Sequence, residues 1–245
     1  MEKYLEIIKN AYTGYWNYLI KEITSFSYWD NYFYGLIIIS LAVWILEILF
    51  PWRKNQALFR KDFWLDTFYM FFNFFLLNLI VFIALSNTVA EIFNDILGLV
   101  GLSLSSFQLF EVNKLPKPSG LFIFFIVADF VQWNTHRLLH RVPFLWNFHK
   151  VHHSVKEMGF AAHLRYHWME PVVYKSILYI PLAIIGGFGV NYGLTLSIWD
   201  YLFKTNYVPE DGRDIELGFS GDETFPKDFV NQELYPLKFK PKNED

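Results

Sequence analysis

All seven histidines of this 245-residue chain fall between His136 and His167, in the stretch HRLLHRVPFLWNFHKVHHSVKEMGFAAHLRYH. Imidazole titrates near neutrality and is a common metal ligand, so such a cluster serves either proton chemistry or a metal. Sensing pH needs only one or two such groups. The spacing favours ligation. His136 and His140 are four residues apart and share a helical face, and His149, His152 and His153 repeat that arrangement one segment later. Pro143 separates the groups, so one helix presents two imidazoles, the chain turns, and a second helix returns three more. His163 and His167 add another pair four apart. The chain has no cysteine, so a metal must be held by nitrogen and oxygen. Seven imidazoles exceed the three or four ligands that one zinc takes from protein, and the zinc-protease pattern H-E-x-x-H is absent. A sulfur-free, imidazole-rich site suits iron, zinc or copper, and two irons with open positions can activate dioxygen.

Two carboxylates flank the cluster. Asp129 stands seven residues before His136, two turns up the same helical face and inside an apolar run, where a carboxylate is costly unless it is used. A hydrogen bond to a ligand imidazole is the expected use; a tyrosine or Asn134 is the alternative partner. Glu170 follows His167 by one turn and either orients it, ligates directly or is simply exposed. Arg137, Arg141 and Arg165 are expected to snorkel to an interface rather than clamp a substrate. Gly186-Gly187-Phe188-Gly189 follows no strand and fails the G-x-G-x-x-G spacing, so no nicotinamide or flavin domain is expected. Electrons must then come from a separate protein.

The elements that position these groups are apolar. The chain is 53% hydrophobic and 21% aromatic, beyond the usual balance of a soluble domain. Net charge of −3, with no basic face, gives no reason to expect nucleic acid. Residues 1–31 mix Glu, Lys and aromatics in a helical rhythm and read as an amphipathic helix in the interface rather than a signal peptide. Tyr32–Phe50 is long enough to span a membrane. Phe63–Leu85 reads as a second span whose Asp66, Asn73 and Asn78 should face protein. A connection over 86–118 ends at Pro116 and Pro118; Leu121–Trp133 then forms a helix that continues into the first histidines. The last apolar region, Ser176–Phe203, is broken at its glycines. Basic residues favour the first loop (Arg53, Lys54, Arg60, Lys61) and the histidine block over the second loop, which puts the block on the cytoplasmic face. The expected fold is all-α: a polytopic helical membrane protein with a cytoplasmic histidine-rich helical cap over residues 32–203, and a polar acidic tail with little core of its own over 204–245. Beside a bilayer, the natural substrate of an oxygen-activating site is a lipid C–H bond.

The segments DFVQWNTHRLLH (129–140) and LWNFHKVHHS (145–154) resemble the H-x3-H and H-x2-H-H boxes of the fatty acid hydroxylase / sterol desaturase superfamily, integral-membrane non-haem di-iron enzymes. His167-Trp168-Met169-Glu170 is similar to the H-x-x-E element of sterol methyl-oxidase-like members. Asn191–Phe203 resembles the segment that closes the family domain, so that similarity covers residues 35–207. The resemblance implies two irons, with zinc as a possible substitute, held by His136, His140, His149, His152, His153, His163 and His167. It also implies dioxygen, a lipid substrate and a separate electron-donor protein. Members carry a further H-x2-H-H box before that closing segment; here Gly189-Val190 runs straight into Asn191. The chain therefore reads as a member with an internal deletion, and one membrane crossing short unless the glycines make a re-entrant hairpin. A lipid hydroxylase or desaturase is the first expectation, a catalytically impaired metal-binding relative the second, and a metal transporter or sensor the third. Transport needs ligands strung across the membrane, whereas these gather on one face.

Overall fold

The computed structural model describes residues 2–25, 31–51, 53, 55–77, 83–109, 111–185, 198–204 and 217–238. Among them every regular element is helical, so the all-α expectation holds. Among the described residues nine α-helices run in chain order: α1 (Glu2–Thr24), α2 (Tyr32–Leu49), α3 (Phe63–Phe71), α4 (Ile83–Leu99), α5 (Lys117–Arg141), α6 (Pro143–His153), α7 (Met169–Ile185), α8 (Ile198–Leu202) and α9 (Phe229–Lys238). Asn78, Gly186–Gly189, the Val190–Asn191 junction and most of the closing segment's first half lie outside the described residues.

Contacts divide the chain into two units: Met1–Val89 with Asn147–Trp168 and Asp211–Asp245, and Ala90–Trp146 with Met169–Glu210. In the first, α2 begins where α1 supplies its cap. The Glu22 carboxylate accepts from the backbone of Tyr32 and Phe33, and the Asn31 side chain accepts from Tyr34 N at 2.9 Å while donating to Glu22 O. These bonds occupy donors that a helix start leaves without intrahelical partners. Of the described helices, α2 alone is long and apolar enough to cross a membrane, and none of its residues is buried. The expected second span begins as α3 and passes into a π-helical turn at Phe72–Leu76. One face buries Asp66, Tyr69, Met70 and Asn73, as the sequence suggested for its polar members, while Trp64 and Phe68 point outward.

The tail is less peripheral than its composition suggests. Phe225 is buried with Tyr69 and Val151, and Phe219, Phe229 and Tyr235 pack around them. The Phe229 ring meets Phe68, Tyr69 and Phe72 edge-on at 4.7–4.9 Å. Each such pair adds about 0.5–1.5 kcal/mol beyond its buried area. Tyr69 donates its hydroxyl to Gln232 Oε1 at 3.0 Å, so the polar residue that made the tail look solvated is fully used inside.

In the second unit, α5 and α7 pack through Phe124, Ala128 and Ile185. Pro118 occupies the first turn of α5, where its missing N–H costs nothing. The helix then runs unbroken to Arg141, as expected, and stops because Val142 is extended before Pro143.

Candidate metal centre

Val142 is the single residue between α5 and α6, so the histidines of both helices lie close to one turn of chain. On α5 the His136 and His140 rings lie 4.9 Å apart with planes 10° from parallel, and their Nε2 atoms are 3.0 Å apart. On α6 the buried His149 ring lies 4.8 Å from His153 and 5.3 Å from His152. His136 and His140 on α5, and His149 and His153 on α6, thus form two pairs, each at i, i+4 spacing with rings 4.9 Å and 4.8 Å apart.

The His136–His140 pair fits one edge of a transition-metal site. Two nitrogens about 2.1 Å from one ion and at right angles stand about 3.0 Å apart, and opposite ones about 4.2 Å. The His136–His140 pair already has the shorter separation. The donor set is wholly imidazole, which suits iron, zinc or copper.

The other three histidines are placed differently. His152 Nδ1 lies 3.1 Å from the Arg165 carbonyl, which can only accept, so Nδ1 carries the proton and Nε2 keeps its lone pair. His163 is exposed on the turn Ala161–Leu164, its ring 6.4 Å from that of His152. His167 is fully buried, donates from Nε2 to the Glu233 carbonyl at 2.8 Å, and packs edge-on against Phe148. Burial lowers its pKa to about 4, which keeps the ring neutral.

Asp129 is buried and its Oδ2 accepts from Trp199 Nε1 at 2.6 Å, a partner that neither sequence alternative named. Glu170 is buried in the first turn of α7, which rules out simple exposure. Arg137 lies 4.5 Å over the Trp133 ring. Arg165 corrects the snorkelling expectation. It is 1% exposed, with Nε donating to Asp66 Oδ1 at 2.5 Å and Nη2 3.4 Å from Asp62. A buried guanidinium must be paired, and two acids from the start of α3 pair it. Asn73, in the π-turn, donates to the carbonyls of Leu164 (2.9 Å) and Tyr166 (3.2 Å). The residues before His167 are thus clamped from α3. Their only sequence signal was polar side chains in an apolar run.

The fatty acid hydroxylase family matches residues 121–190, a stretch that contains all seven histidines. That match, with a curated relative, supports the fatty acid hydroxylase superfamily. The chain is similar to the curated ornithine lipid hydroxylase OlsE of Rhizobium tropici, 22% identical over 192 residues, covering 58% of this chain and 57% of the relative. The chain thus spans little more than half of that relative's length. No solved structure matches it significantly. The family match is narrower than the 35–207 similarity expected from the motifs, and its last residue is Val190.

Proposed function

We propose that this chain is a membrane-bound di-iron oxygenase of the lipid hydroxylase or desaturase type, its catalytic domain over 32–203 and its histidine cluster on the cytoplasmic face. The observation that carries the proposal is a close imidazole pair on each of α5 and α6, His136 with His140 and His149 with His153, inside the family-matched segment. The apolar α2 supports membrane attachment, and the relative named as an ornithine lipid hydroxylase supports a lipid substrate. When bound, iron supplies the activation of dioxygen. Hydroxylation then takes two electrons and two protons from a separate donor protein and sends one oxygen atom to the lipid and one to water.

The chain's own residues have positional roles. His136, His140, His149 and His153 would hold one ion. His152, with Nε2 available, and His163 and His167 would contribute to a second. The Arg165 carbonyl fixes the His152 tautomer, and Asp129 and Glu170 would orient ligands, a use that fits their burial.

A second reading, a metal-binding relative of impaired activity, is favoured by two observations. The family match stops at Val190, where the missing box would begin, and no histidine follows His167. Lipid extraction and mass spectrometry from cells expressing the chain with an electron donor separate the readings. Products 16 mass units heavier or 2 lighter support an active oxygenase. Bound metal without product supports the impaired relative, and neither metal nor product sinks both.

A further inference from the structure

Outside the histidine cluster, the surface of α2 carries a second built feature. A cavity of about 320 Å³ opens between α2, α3 and residues 157–162, with Ile37, Leu41 and Trp44 opposite Phe63, Met70 and Phe160. From Ile37 to Glu47 the helix climbs about 15 Å, half of a hydrocarbon core about 30 Å thick. The slot therefore has the depth of one leaflet. At its Glu47 end a cavity of about 640 Å³ adjoins it, and Glu47, Arg60, Glu157, Gly159 and Phe160 line both. The second cavity adds Arg53, Gln56 and His163. An apolar slot thus becomes a polar chamber where the candidate span ends.

The junction between them is held in place. Arg60 pairs with Glu47 at 2.9 Å and donates to the Met158 carbonyl at 2.5 Å, while Lys61 N donates to Glu157 at 3.0 Å. A Cβ at Gly159 would overlap the Arg60 guanidinium, so the bare backbone there makes room for it. Arg53 and Arg60 face the chamber together with Glu47 and Glu157. A purely anionic headgroup would meet the two glutamates and a purely cationic one the two arginines. A headgroup that bears both signs satisfies both pairs.

We propose that the joined cavities seat one membrane lipid, an acyl chain in the slot and a zwitterionic headgroup in the chamber. This rests on the lipid-modifying reading above and gives the lipid a place and a charge type. Both cavities fall within the roughly 300–1,000 Å³ of small-molecule sites. Ile38, Ile39 and Leu46 are exposed on α2 but line neither cavity, so they mark the surface that any bilayer lipid would wet.

The test is native mass spectrometry of the full chain in detergent, titrated with phosphatidylethanolamine, phosphatidylglycerol or a trimethylammonium-propane lipid. One phosphatidylethanolamine should bind about tenfold more tightly than either alternative. Leu41→Trp, which fills the slot from an exposed position, should weaken it about tenfold, and Ile39→Trp should not. Arg53→Glu should move the preference toward the cationic lipid. Equal binding of the three lipids, a preference for the anionic or cationic lipid, or equal effects of Leu41→Trp and Ile39→Trp would overturn the proposal. The readout needs neither metal nor turnover. A chain that fails here yet holds metal leaves the oxygenase reading standing, and a chain that binds the lipid without metal does the reverse.

Discussion

His136 and His140 meet because helical spacing on α5 brings them together, whereas His152 and His167 are fixed by carbonyls from elsewhere in the chain, Arg165 and Glu233. The first arrangement needs only a stable helix. The second needs the segment 164–167, the start of α3 and the tail all in place. The contrast separates histidines set to converge on an ion from histidines whose geometry depends on long-range packing. It also sets the order in which substitutions should matter.

The largest effect is expected inside the convergent set. His140→Ala combined with His153→Ala should reduce metal retention by more than about 100-fold, beyond what loss of an orienting partner costs, while His163→Ala should cost less than about tenfold. Elemental analysis of the purified protein reads both. Equal losses would erase the distinction between the two sets.

Next comes the clamp. Arg165→Met leaves Asp66 buried without its cation, and breaking such a pair costs about 3–5 kcal/mol. Thermal unfolding should show a large loss of stability, and an unchanged midpoint would mean that Asp66 and Arg165 do not hold the 164–167 segment. Asp66 and Asn73 were legible as residues that must face protein, because polar groups in an apolar run have few other options. Their partners were not legible, since 99 residues separate Asp66 from Arg165 and 91 separate Asn73 from Leu164. The tail was misjudged for a related reason. Gln232 and Glu233 look solvated in sequence, and only the fold shows Gln232 accepting from Tyr69 and the Glu233 carboxylate from the Trp168 backbone. By contrast the α5–turn–α6 arrangement was fully readable, because periodicity and Pro143 are local signals. Of the expected spans, α2 alone is long and apolar enough to cross a membrane among the described residues, and part of the expected second span lies outside them.

A third prediction concerns the junction at Val190. Ligands held even about 1 Å out of place can cost on the order of 10²-fold in rate, so on the impaired-relative reading the chain turns over little lipid. Inserting a family-type segment with H-x2-H-H after Val190 should raise turnover by about that factor. Robust product from the chain without the insert would show that its seven histidines suffice.

The smallest effect separates Asp129 from its partner. If Asp129 orients a ligand, Asp129→Asn should weaken metal retention by about 10–100-fold. Trp199→Phe removes only the donor to Oδ2 and should cost about 1–3 kcal/mol of stability while leaving metal content unchanged. Matching metal losses in both variants would make the Asp129–Trp199 bond itself the element that shapes the centre.

X-ray absorption at the edge of the bound metal, on the full chain purified from iron-supplied cells, addresses the convergence of imidazoles most directly. The expected spectrum has a dominant shell of imidazole nitrogens at about 2.0–2.2 Å, and that shell should collapse in the His136→Ala, His140→Ala protein. A wild-type chain without metal, or with a metal surrounded by oxygen alone, would contradict it.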